Sequence, residues 1–295
     1  MSDVIVGVDG SAESATALEW AADAAAQRGS PLRIIYALHM PLVVMPFDRT
    51  VPLPPSDDLR DRAEALLKHA QEQAEHHVPG LQVRTELSLR PATPTLLSAS
   101  EDADLVVVGS RGLGMFGSVF LGSVSTRVAA RASCPTVVVR EGSSSPNADG
   151  PVLVGVDGSV HGAAAMRFAL REAKLRDAPV IALTVYSGPE YVVTLHDAKL
   201  AQRIDDDARR DATRLVADVL EQAREDDTAN VDVEPRAVPG HPPTVLADAG
   251  REAALTVVGS RGRGGFRGML LGSVSLAVLH HATHPVAVVR ATDGD

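Results

Sequence analysis

The strongest constraint on this chain is that it says nearly everything twice. Val6-Gly-Val-Asp-Gly-Ser11 returns as Val154-Gly-Val-Asp-Gly-Ser159, an offset of 148 residues. Val107-Val-Gly-Ser-Arg-Gly112 returns as Val257-Val-Gly-Ser-Arg-Gly262, and Leu121-Gly-Ser-Val-Ser125 as Leu271-Gly-Ser-Val-Ser275, both at an offset of 150. Three matches in one order at nearly one spacing require two copies of a single fold rather than one large domain. At 295 residues each copy has the length of an ordinary domain. The first domain is placed at 1–141, a linker at 142–150 and the second domain at 151–291. The stretch Glu141-Gly-Ser-Ser-Ser-Pro-Asn-Ala-Asp-Gly150 has the composition of a flexible connector.

Within each copy short apolar runs alternate with helical patterns. Val4–Val8 reads as a buried strand ended by Asp9-Gly10; Ser11 can cap a helix carrying Ala15, Leu18, Ala22 and Ala25, which Gly29 stops. Strands are expected at 32–38, 81–89, 104–108 and 135–139. In the second copy they are expected at 152–156, 180–185, 231–238, 255–258 and 286–289. Ser56 can cap a long helix with Leu59, Ala63, Leu66, Ala70 and Ala74 on one face. Residues 41–55, rich in proline, read as an irregular loop. Strands that alternate with helices imply right-handed crossovers, hence an α/β fold with a parallel sheet and helices on both faces. Aromatic residues make up only 3% of the chain, so its cores must be built from Val, Leu, Ala and Ile. That suits strands covered on both sides.

In such a sheet ligands bind beyond the carboxyl ends of the strands, and the repeated Gly, Asp and Ser motifs fall there. Gly109-Ser-Arg-Gly112, nine residues and Gly122-Ser123 match Gly259-Ser-Arg-Gly262, nine residues and Gly272-Ser273. The leading glycines let backbone approach a ligand, while the final Gly-Ser opens a helix whose free N–H groups suit an anion. Ser123, Ser125, Ser273 and Ser275 can add hydroxyl donors, and Arg111 and Arg261 positive charge. The assembly reads as a phosphate cradle, although glycine-rich turns also end strands without any ligand. Asp9 and Asp157 can accept hydrogen bonds from a ribose or an adenine amino group; the alternative is a turn aspartate.

These residues carry a family resemblance. G-x-x-G, nine residues and G-S/T, together with a strand-one Asp, resembles the ATP-binding branch of the universal stress protein family, in its tandem actinobacterial form. The resemblance implies two Rossmann-like domains, each a five-stranded parallel sheet of order 3-2-1-4-5. It implies ATP, alone or with Mg, as ligand. The base would lie near Asp9 and the backbone of Val8 and Ala37, and the phosphates on Gly109, Arg111, Gly112, Gly122, Ser123, Val124 and Ser125. The second-copy set is Asp157, Val156, Val185, Gly259, Arg261, Gly262, Arg263, Gly272, Ser273, Val274 and Ser275. It further implies pairing through the last strands and a dimer of tandem chains.

Other signals narrow the function. A net charge of −10 argues against nucleic-acid binding. The single cysteine, Cys134, allows no internal disulfide. The absence of a signal-like start or a membrane-length apolar run points to a cytoplasmic protein without membrane insertion. Cys134 reads as a small apolar residue, and His280, His281 and His284 as surface histidines rather than a metal site. No nucleophile–base pair recurs in both copies, so no catalytic residue is assigned. A regulatory ATP-binding module is expected, with a slow ATPase or adenylyl-transferring enzyme as the alternative class and an unliganded scaffold as the third. The protein partner is not legible. The second site is expected to hold triphosphate more tightly, because Arg263 and Arg267 stand where the first copy has Leu113 and Gly117, and Gly240 stands against Pro91.

Overall fold

The computed structural model describes residues 2–38, 42–45, 49–52, 55–112, 121–142, 149–188, 198–264 and 271–291. Two compact units, Met1–Gly142 and Ser143–Asp295, divide the chain. Residues 143–148 of the expected linker lie outside the described residues.

The first unit contains β1 (Asp3–Val8), α1 (Ala12–Arg28), β2 (Leu32–Ala37), β3 (Leu42–Met45), β4 (Arg49–Pro52), α2 (Asp57–His77) and β5 (Val83–Ser88). It continues with α3 (Ala92–Ala99), β6 (Ala103–Gly109), α4 (Ser123–Arg131) and β7 (Thr136–Val139). Its sheet runs β5-β2-β1-β6-β7, all parallel. The second unit has β8 (Val152–Gly155), α5 (Val160–Arg176), β9 (Val180–Tyr186), α6 (Ala198–Ala223), β10 (Val233–Pro239), α7 (Pro242–Ala249), β11 (Leu255–Gly259), α8 (Ser273–His281) and β12 (Val286–Val289). Its sheet runs β10-β9-β8-β11-β12, again all parallel. Each order reverses direction beside its first strand, which opens a crevice at the carboxyl ends of β1 and β6, and of β8 and β11.

Burial explains why these sequences take this form. Val4, Ile5 and Val6 are consecutive and all essentially inaccessible, so β1 is covered on both faces. On one face α1 packs on β1 and β6 and touches α2; on the other, α3 and α4 pack together. The contact surface of α1 is Ala17, Ala21, Ala24 and Ala25, whose small side chains let the helix axis approach the sheet closely. In α2 the buried stripe is Ala63, Leu67, Ala70 and Ala74. Leu66, expected there, instead reaches over Gly10, and Leu59 is exposed.

Two expectations fail here. Part of the proline-rich stretch is a hairpin, β3 antiparallel to β4 with Val43 opposite Val51. The β-branched Val43, Val44, Thr50 and Val51 favour extended backbone more than the flanking prolines oppose it. His284 is not a surface residue: it is 7% exposed and lies 2.8 Å from Thr256 Oγ1 through Nε2. A Cβ at Gly250 would stand 2.2 Å from that nitrogen, so glycine there makes room for the ring. The first copy has Ser100, Val106 and Cys134 at these places, and Ser100 Oγ accepts from the Ser133 amide at 2.9 Å. Burial pushes the Cys134 thiol up to about 12, which keeps it protonated and unreactive. No described helix is long and apolar enough to cross a membrane.

The matched ends of α1 and α5 give a stability test. Gly29 closes α1 at φ 63°, with its amide directed at Ala25 O and Ala26 O. Asp177 closes α5 at φ 51°, where a side chain is strained. Nothing lies within 4 Å of a Cβ built on Gly29, so Gly29→Ala isolates the backbone cost. Urea unfolding should show a loss of about 1 kcal/mol for Gly29→Ala and a gain of about 0.5–1 kcal/mol for Asp177→Gly. Equal stability of all three chains would contradict the left-handed caps.

Candidate functional site

Each first strand ends in an aspartate that folds back on the helix start. Asp9 Oδ1 accepts from the Ser11 amide at 3.0 Å and from Ser11 Oγ at 2.6 Å. Asp157 Oδ1 repeats this with Ser159, at 3.0 and 2.7 Å. The intervening Gly10 and Gly158 take φ of 86° and 74°, which favours glycine. Ser11 Oγ and Ser159 Oγ then cap their helices by accepting from Ser14 N and Gly162 N. One carboxylate oxygen therefore builds the turn. The other meets the glycine loop: a Cβ on Gly112 would lie 2.2 Å from Asp9 Oδ2, and one on Gly262 2.5 Å from Asp157 Oδ2. Asp157 Oδ2 also accepts from the Arg263 amide at 3.2 Å. At Gly112 and Gly262 a carboxylate already occupies the space a side chain would need, a demand for glycine that stands beside the expected approach of a ligand.

The far end of the loop is tied back to the strand. Gly122 donates its amide to Ser110 O at 2.7 Å, and Gly272 to Ser260 O at 2.8 Å. Ser125 Oγ donates to Gly109 O at 2.6 Å, and Ser275 Oγ to Gly259 O at 2.5 Å. Ser125 and Ser275 are buried, and their single protons are committed to the protein. In this arrangement they act as a latch rather than as the hydroxyl donors to phosphate that the sequence suggested. Gly109 and Gly259 pack against the first turns of α1 and α5, where a Cβ would meet Glu13 or His161 backbone at about 3 Å.

The latch leaves donors behind it. The first helical hydrogen bonds are Thr126 N to Gly122 O and Leu276 N to Gly272 O, both 3.0 Å. The amides of Ser123, Val124 and Ser125, and of Ser273, Val274 and Ser275, precede them. Gly122 and Gly272 are the N-caps and supply no side chain to cover those amides. By contrast α1, α2 and α5 are each capped by a serine hydroxyl.

In the second unit these groups surround a cavity of about 490 Å³, within the usual range for small-molecule sites. Val156, Asp157, Val185, Gly259, Arg261, Gly262, Arg263, Gly272, Ser273, Val274 and Ser275 all line it. Leu183, Pro242, Leu246 and Val258 complete an apolar wall that the sequence reading did not assign. Leu246 could have been found from its match to Leu96: each leucine packs where a Cβ on the strand-one glycine, Gly155 or Gly7, would stand. Val156 also gives its carbonyl to Thr184 Oγ1 at 2.6 Å. In the first unit Val8, Asp9, Ala37, Gly109, Arg111 and Gly112 end the corresponding strands and begin the loop; residues 113–120 lie outside the described residues.

The charged groups sit unlike the simple expectation. Arg111 Nε is 3.2 Å from Glu13 Oε1, an ion pair whose N–H is not aligned for a hydrogen bond. Arg263 extends its guanidinium over Gly158, towards Leu215 on α6. Arg267 lies outside the described residues. Gly240 donates its amide to Tyr186 O at 2.9 Å. Its match to Pro91 is also off by one: Pro91 caps α3, and the α7 cap is His241. Among the described residues no three His, Cys, Asp or Glu side chains gather to hold a metal.

The model of the universal stress protein family matches residues 1–140 and 150–290. A universal stress protein of Mycolicibacterium smegmatis is 36% identical over 299 residues, covering 97% of this chain and 96% of the relative. One from Mycobacterium tuberculosis strain H37Rv is 36% identical over 295 residues with the same coverage. Among solved structures, a universal stress protein from Archaeoglobus fulgidus aligns with a TM-score of 0.68 at 21% identity, over 100% of this chain and 98% of that one. With both halves matched and tandem relatives aligned almost end to end, this chain belongs to the universal stress protein family.

Proposed function

We propose that the chain is a regulatory nucleotide-binding module that holds ATP, one molecule per domain, without appreciable turnover. The observation that carries this reading is the cavity of the second unit. Its apolar wall of Val156, Leu183, Val185, Leu246 and Val258 suits a planar base. The same cavity is lined by Arg261 and by the first turn of α8, whose amides lack a side-chain cap at Gly272, donors suited to phosphate oxygens. A ligand with an apolar ring at one end and several negative charges at the other fits both walls. An adenine nucleotide is such a ligand.

The double substitution Gly112→Ala with Gly262→Ala tests the site. Each new Cβ would displace the strand-one carboxylate from the loop, so calorimetry should show ATP affinity lowered by at least about tenfold, with the circular-dichroism spectrum retained. Unchanged affinity in the folded double mutant would remove the assignment.

Retention rather than turnover is supported by how the strand-end carboxylate of the second site is used. Asp157 spends Oδ1 on Ser159 and Oδ2 on the Arg263 amide. Phosphoryl transfer needs a group that positions the attacking nucleophile, and this carboxylate instead ties the loop to the helix start. Purified protein should therefore release phosphate from ATP far more slowly than about one turnover per second. Hydrolysis at ordinary enzymatic rates, lost in an Asp9→Ala/Asp157→Ala chain, would favour the enzyme instead.

A further inference from the structure

The two sites differ at one position beside the loop arginine. Glu13 and His161 both stand in the first turn of their helix. They also occupy the same place in space: a Cβ on Gly109 would lie 3.0–3.2 Å from Glu13 carbonyl and Cβ atoms, and one on Gly259 2.8–3.0 Å from those of His161. What they do to the neighbouring arginine is opposite. Glu13 pairs with Arg111 at 3.2 Å, and the two side chains are only 13% and 25% exposed, so solvent screens the pair weakly.

His161 brings no counter-charge. It is 7% exposed, and its Nδ1 accepts from the Ala291 amide at 2.8 Å, which a protonated ring could not do. Burial, with Arg261 and Arg290 beside it, holds the ring below the usual histidine range against a smaller opposing pull from Asp157. The ring is therefore neutral near pH 7. Arg261 lines the cavity and has no carboxylate partner among the described residues.

We propose that residue 13 in the first domain and residue 161 in the second set the charge preference of their sites. Glu13 competes with phosphate for Arg111, whereas neutral His161 leaves Arg261 to the ligand. The second site then selects nucleotides by phosphate number and the first does so weakly. This rests on the nucleotide reading given above. A single charge-assisted contact contributes about 1.5–3 kcal/mol, which is about tenfold in affinity or more.

Calorimetry of the full chain with ATP and with AMP tests it. The wild-type chain should show two ATP sites at least about tenfold apart and AMP sites much closer together. Glu13→Gln, which removes the charge but keeps the shape, should tighten the weaker ATP site by about tenfold and leave AMP nearly unchanged. His161→Glu should weaken the tighter ATP site by a similar factor. A folded Glu13→Gln chain with an unaltered ATP-to-AMP ratio would overturn the proposal, as would an equal change for both nucleotides. Failure of the wild-type chain to bind either nucleotide would overturn the nucleotide reading itself, and this inference with it.

Discussion

Two hydrogen bonds at each loop hold the candidate sites together: the Gly122 amide to Ser110 O and the Ser125 hydroxyl to Gly109 O, repeated at Gly272 and Ser275. They clamp the start of a helix onto the end of a buried strand. Because the clamping residue at the cap is glycine, the cap itself gives the remaining first-turn amides no side-chain partner. The sheet supplies the other half of the arrangement. Strand one ends alongside, and its aspartate approaches the same loop closely enough to exclude any side chain at Gly112 or Gly262. Removing the latch would let the helix start slide away from the strand, and the cavity would lose its polar wall.

The two copies show which parts of this arrangement tolerate change. The turn made by Asp9 and Ser11 is reproduced by Asp157 and Ser159 to within about 0.1 Å in its hydrogen bonds. Around this shared frame the copies diverge in matched sets. Ser100, Val106 and Cys134 become Gly250, Thr256 and His284, where the lost side chain at one position admits the larger ring at another. Glu13 becomes His161, and the arginine beside it loses its counter-ion. The first substitution preserves packing. The second changes the charge set beside the loop arginine.

Much of this was legible in the sequence, for physical reasons. Buried parallel strands are continuous apolar runs, so Val4–Val8 and its matches stood out. Helix starts were marked by Ser11 and Ser56, whose hydroxyls do cap. Glycine spacing at 109–123 and 259–273 pointed to the loops. What stayed hidden depends on three-dimensional neighbours. A hydroxyl such as Ser125 looks the same whether it donates to phosphate or to Gly109 O. Arg111 shows its charge in sequence but not its pairing with Glu13, which is almost a hundred residues away. His284 sits beside two exposed-looking histidines, and only the space above Gly250 explains its burial. The paired strands 42–45 and 49–52 were hidden because prolines interrupt and flank their β-branched residues.

The central claim is that these clefts hold a nucleotide. Its most direct test is mass spectrometry of the chain purified without added ligand, in the native state and after denaturation. The account predicts that denaturation releases an adenine nucleotide, ATP foremost, and that the native spectrum shows up to two bound molecules per chain. It also predicts that protein stripped of nucleotide rebinds ATP. Release of no nucleotide, together with no mass shift when ATP is added to the stripped protein, would contradict it.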